Sequence, residues 1–65
     1  MDEISVLICD DSALMRNLIG RIVDETEGMK VVARAENGLD LIEKLKTVQP
    51  DVILLDIQMP QMDGL

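Results

Sequence analysis

The 65-residue sequence predicts an α/β protein organised as a doubly wound parallel sheet with strand order 2-1-3. Three observations carry that reading. Apolar, β-branched-rich runs at Ile4 to Cys9 and Asp51 to Ile57 are short enough to be strands covered on both faces. Two other segments repeat apolar residues every three or four positions, the spacing of amphipathic helices. The resulting order of strand, helix, strand, helix, strand requires right-handed crossovers between parallel strands.

The first strand, "ISVLIC", is apolar at nearly every position and reads as central. Ser12 then caps a helix in which Leu14, Leu18 and Ile22 repeat every four residues, with Met15, Ile19 and Val23 widening the stripe. Its polar residues, Arg16, Asn17, Arg21, Asp24 and Glu25, fall on the remaining arc, and Gly28 ends the helix by supplying a left-handed C-terminal residue. "MKVVARA", Met29 to Ala35, is a more polar strand whose Lys30 and Arg34 suit a sheet edge. After the turn "ENG", Asn37 or Gly38 opens a second helix with an apolar stripe of Leu41, Ile42, Leu45 and Val48. Asp40, Glu43, Lys44 and Lys46 face water. Pro50 stops that helix, and "DVILLDI" follows as an apolar strand carrying one acid, Asp56, near its end. The two most apolar strands are placed inside the sheet and the polar one outside; no linker or internal repeat interrupts residues 1–65, which read as one domain.

Composition removes several functions. The net charge of −7 and the absence of any aromatic residue leave neither a basic track for phosphates nor rings for stacking bases, so no nucleic acid is expected as a partner. The start "MDEIS" lacks the basic flank of a signal peptide, and no apolar run approaches the roughly 20 residues needed to cross a bilayer. A soluble, cytoplasmic chain with no membrane contact is expected. The single Cys9 lies in an apolar run and reads as a buried small hydrophobe, and the five methionines are scattered as filler rather than gathered as a copper site.

The chemistry points to one edge. Asp10 and Asp11 follow the first strand and Asp56 ends the third, so all three carboxylates are expected at the carboxyl ends of neighbouring strands, where ligands of such sheets bind. Like charges this close raise one another's proton affinity unless a cation neutralises them. Carboxylates are hard oxygen ligands suited to Mg²⁺, and a strand-terminal carboxylate can also accept a phosphoryl group as a mixed anhydride. A plainer reading is also open: an Asp-Asp pair after a strand serves often as a turn and a helix cap.

"VLICDDSALMR" together with "PDVILLDIQMPQMDG" resembles the receiver domain of two-component response regulators, closest in wording to the receivers of chemotaxis methylesterases. The resemblance spans the whole chain. It implies the β-α-β-α-β half of a flavodoxin-like sheet, with Asp56 as phosphoacceptor, Asp11 as direct metal ligand and Asp10 acting largely through water. It further implies that the Gln58 backbone carbonyl completes a Mg²⁺ or Mn²⁺ shell and that Met59 to Gly64 shape the rim. The implied partner is a histidine kinase. A receiver has five strand-helix units, whereas the matching stretch here covers two and a half, so the family's Ser or Thr and its Lys, which hold phosphoryl oxygens, have no counterpart; Lys30, Lys44 and Lys46 match neither.

The chain is therefore expected to be the N-terminal half of a receiver, encoding phosphotransfer in chemotaxis-type signalling. An alternative is a self-assembling half-domain, or a designed or proteolytic fragment, that acts as a homo-oligomer without phosphotransfer. A parent methylesterase is implied by the resemblance, but the chain itself is not expected to be an enzyme, because it has no His and no Gly-x-Ser-x-Gly elbow.

Overall fold

A computed structural model describes residues 3–56. Its elements are β1 (Ile4–Asp10), α1 (Ala13–Asp24), β2 (Met29–Ala35), α2 (Gly38–Leu45) and β3 (Val52–Asp56). The strands pair in parallel in the order β2-β1-β3, as the sequence predicts. Ile57, the expected last residue of the third strand, lies outside the described residues.

β1 is the core. Val6, Leu7, Ile8 and Cys9 are all fully buried, and the strand's two-residue period divides them between the faces of the sheet. Val6 and Ile8 meet Ile19 and Val23 of α1, while Leu7 and Cys9 meet Leu41 of α2. One helix thus covers each face.

β2 serves both clusters through a defect in its pairing. Val6 is opposite Val31 but Leu7 is opposite Ala33, so Val32 is an extra residue in the ladder. An inserted residue reverses which face each later side chain occupies. Met29 and Val31 consequently join the α1 cluster, while Ala33 and Ala35, of the same parity, join the α2 cluster.

Both helices begin at the expected caps. The Ser12 hydroxyl accepts from the Met15 N–H at 3.3 Å, and Asn37 Oδ1 accepts from the Asp40 N–H at 2.8 Å. The Asp40 carboxylate in turn accepts from the Glu36 N–H at 3.1 Å and from Lys44 at 2.9 Å. Lys44 first, then the Glu36 N–H, holds the Asp40 carboxyl below the usual carboxylate range.

The second helix is shorter than expected: α2 ends at Leu45 with Lys46 as its cap, so Val48 lies beyond it and Pro50 is not what stops it. Three further expectations need correction. Of the expected α1 stripe only Ile19 and Val23 meet the sheet, joined by Arg16 and Gly20, whereas Leu14, Leu18 and Ile22 stay exposed at 78%, 47% and 56%. Gly20 is buried on this face, where a Cβ would stand 2.6 Å from Arg34 Nη2, the mobile end of a side chain of β2. Second, α1 ends at Asp24 with Glu25 as a right-handed cap, and Gly28 uses its φ of 90° in the turn before β2, where its carbonyl accepts from the Ile4 N–H at 2.8 Å. Third, β3, at the edge position that the order 2-1-3 implies, was expected to be covered on both faces, yet all of its residues are exposed. Asp56 therefore ends an exposed strand rather than a buried one.

β3 is tied to β1 at its start by a reciprocal contact. The Ser5 N–H and hydroxyl donate to Asp51 Oδ2 at 2.9 and 3.0 Å, and the Asp51 N–H donates to the Ser5 carbonyl at 2.9 Å and to its hydroxyl at 3.0 Å. The Ser5 N–H, then its hydroxyl, holds the Asp51 carboxyl low. A lowered folded-state value favours the ionised carboxylate, so this stabilisation is present above the unfolded value of about 3.9 and is lost as pH falls through the folded one. Ser5→Ala is expected to lower the urea midpoint at pH 6, with the difference from the parent shrinking as pH falls below the unfolded carboxylate value of about 3.9. An equal difference above and below that value would place the Ser5 contribution outside the carboxylate contact.

Candidate functional site

The register of two parallel strands assembles the acidic edge. β1 and β3 pair Val6 with Val52 and continue residue for residue to Asp10 with Asp56, so the two strand-terminal acids are direct neighbours. Asp11 follows in the connection to α1. These three carboxylates, with Ser12 and Met15, line a cavity of about 400 Å³. Asp11 and Asp56 are exposed, whereas Asp10 is 2% exposed.

Asp10 combines the two roles that the sequence leaves open. Its Oδ1 accepts from the Ser12 N–H at 2.9 Å, an Asx turn that bends the chain from β1 into α1. Its Oδ2 is buried with no hydrogen-bond partner among the described residues. Leaving such an oxygen unpaired costs about 1–3 kcal/mol, so turn formation alone does not account for a carboxylate here. Asparagine would make the same turn.

Ordinary burial raises the thiol of Cys9, the residue preceding Asp10, above its usual range, and the fields of Asp40 and Asp10 add to the effect. The Sγ donates to the Asn37 carbonyl at 3.5 Å. A buried, protonated thiol is a packing group, as its place in the apolar run implies.

Among the described residues, no three acidic, thiol or imidazole groups converge closely enough to enclose a metal ion. The donor chemistry fits a hard cation nonetheless. An open set of carboxylates, one with an orphaned buried oxygen, suits Mg²⁺ or Mn²⁺, which keep several waters and rarely take a closed protein cage. Gln58 and the Met59 to Gly64 segment lie outside the described residues.

One contributor escapes the sequence reading, which places Arg16 on the solvent arc of α1. In the structure Arg16 is half-buried, and its Nη1 donates to the Asp10 carbonyl at 2.8 Å. The signal was the spacing: Arg16, Ile19, Gly20 and Val23 fit one helical face as well as the leucine stripe does.

Comparison with known proteins agrees with this architecture. The model of the response regulator receiver domain matches residues 6–65. The protein-glutamate methylesterase/protein-glutamine glutaminase of Treponema denticola is 58% identical over 65 residues, covering 100% of this chain and 18% of the relative. Its counterpart in Treponema pallidum is 50% identical over 64 residues, 98% of this chain and 16% of the relative. Chemotaxis protein CheY of Listeria monocytogenes is 48% identical over 62 residues, 95% of this chain and 51% of the relative. The chain thus spans under a fifth of the methylesterases and about half of CheY. With the parallel 2-1-3 sheet and its acidic edge, a family match over nearly every residue leaves one assignment: this chain belongs to the response regulator receiver domain family.

Proposed function

We propose that Asp56 accepts a phosphoryl group from the phosphohistidine of a histidine kinase, in chemotaxis-type signalling, with Mg²⁺ or Mn²⁺ held by Asp10, Asp11, Asp56 and the Gln58 carbonyl. The in-register pairing of Asp10 with Asp56 beside a cavity that Asp11 also lines is the observation that carries this reading. The exposed Asp56 carboxylate is accessible to a donor. One of its oxygens forms the new P–O bond as the P–N bond to the donor imidazole breaks, and the electron pair leaves with the imidazole nitrogen. When bound, the cation supplies charge neutralisation for the phosphoryl oxygens, which no lysine or arginine lining the described cavity provides. The Ser12 N–H keeps Asp10 oriented through Oδ1 and leaves Oδ2 free to serve as a ligand atom.

The relatives' esterase chemistry is not assigned to these residues, since the sequence contains no His and no Gly-x-Ser-x-Gly elbow. The part proposed here is the phosphoacceptor. A second role has a specific observation in its favour: β3 presents Val52, Ile53, Leu54 and Leu55 to solvent along an edge with no strand beyond it among the described residues. Unpaired strand edges with apolar side chains on both faces associate readily. The second reading is a two-fold homodimer of this chain joined along β3.

Mg²⁺ titration followed by thermal shift is expected to show weak saturable binding that Asp11→Ala weakens about tenfold or more. An unchanged isotherm would overturn the ligand assignment. With acetyl phosphate and Mg²⁺, labelling of the 65-residue chain is expected to be slow and short-lived and to vanish in Asp56→Asn; labelling that persists in that variant would overturn the acceptor assignment.

Asp10→Asn retains the turn to Ser12 and removes the buried charge. In the absence of metal it is expected to raise stability by about 1 kcal/mol while abolishing the Mg²⁺-induced shift. A loss of stability in chelator would show that the carboxylate is structural. For the second reading, light scattering across a dilution series should give a dimer that Leu54→Lys dissociates, and a monomer at every concentration would rule it out.

A further inference from the structure

We infer that Arg16 is a positioning residue for the acidic edge, holding Asp10 through its main chain; the inference rests on the phosphoacceptor reading above. Arg16 lies on the face of α1 that packs against the sheet, and it is half-buried there. Its Nη1 donates to the Asp10 carbonyl at 2.8 Å, at the point where the β1 ladder ends. Arginine forks usually seek carboxylates, and three stand on this edge. Among the described residues, however, Arg16 forms no ion pair within 4.0 Å.

That choice of partner has a chemical consequence. A guanidinium clamped on Asp10 or Asp11 would occupy the oxygens that a cation needs, whereas one bound to a carbonyl leaves them free. Asp10 is then fixed twice, at its carbonyl by Arg16 and at Oδ1 by the Ser12 N–H, and among the described residues its Oδ2 is left unpartnered. Two anchors on one residue determine where its last oxygen sits. Fixed placement of a ligand atom is what metal affinity depends on beyond the ligands themselves.

The sign of the effect on cation binding separates this role from a simple charge effect. Removing a positive charge near a cation site tightens binding by Coulomb's law alone; removing a positioning contact weakens it. Arg16→Met and Arg16→Lys would be compared with the parent chain in two measurements, the exchange rate of the Ser12 amide in metal-free protein and the dissociation constant for Mn²⁺. Ser12 exchange is referred to that of Leu7 in the buried strand, so that a general loss of stability cancels.

Arg16→Met is expected to expose the Ser12 amide to exchange about tenfold faster relative to Leu7 and to weaken Mn²⁺ binding about five- to tenfold, with Lys, which can still donate to the carbonyl, recovering most of both. Unchanged Ser12 exchange, or Mn²⁺ binding that is unchanged or tighter in Arg16→Met, would overturn the inference. If the parent chain binds no Mn²⁺ at all, the cation reading fails, and the Ser12 exchange measured without metal still decides the role of Arg16.

Discussion

The pairing of β1 with both of its neighbours is the constraint on which the rest of the structure depends. Four consecutive residues of that strand are fully buried, two toward each helix, so β1 has no freedom to slide without moving apolar side chains to the wrong face. Its register against β3 then dictates that Asp10 stands beside Asp56. The acidic edge is a consequence of hydrophobic packing several residues away.

The same strand carries the electrostatic tension of the site. Asp10 continues a buried apolar run, and burying a carboxylate without full pairing opposes folding. A folded-state cost retained at a ligand edge is what a site needs if ligand binding is to relieve it, because only interactions that change on binding contribute to affinity. Arg16 softens the field of the cluster without neutralising any carboxylate, since its one guanidinium hydrogen bond among the described residues goes to a carbonyl. The positive group and the carboxylates therefore coexist without cancelling.

Much of this was legible in the sequence, and what was not has physical causes. Element order, the bounds of β2 and the two helix N-caps follow from local chemistry: β-branched runs, and an Asn or Ser before an apolar repeat. The face that α1 presents did not follow, because Leu14, Leu18 and Ile22 are more apolar than the stripe that packs. Gly20 and Arg16 score poorly on hydropathy, yet Gly20 is buried beside the Arg34 side chain and Arg16 reaches the Asp10 carbonyl. The extra residue at Val32 was invisible for a related reason: "KVVARA" is equally good strand sequence with or without a bulge, and only tertiary packing selects the reversed parity. The edge position of β3 follows from the order 2-1-3, whereas the exposure of its faces depends on what packs against them, which no property of "VILLD" encodes. Asp10, Asp11 and Asp56 were recognisable because three acids at strand ends are costly without a purpose, whereas Arg16 looked like any other surface cation.

The two halves of the acidic edge have unequal support. Asp10 belongs to a strand locked on both faces and both edges, but Asp56 ends a strand whose side chains face solvent and which is held by the β1 ladder and by the Ser5 to Asp51 contact at its opposite end. The distance between the two carboxylates is thus only as well defined as one edge ladder. Any ligand that bridges Asp10 and Asp56 orders β3, and any strand that pairs with the outer edge of β3 orders it too. Two events that each restrict the same element make one another more favourable, by reciprocal linkage and without direct contact. In this architecture, a ligand at the acidic edge and a strand paired along β3 would each act on the same five residues, Val52–Asp56.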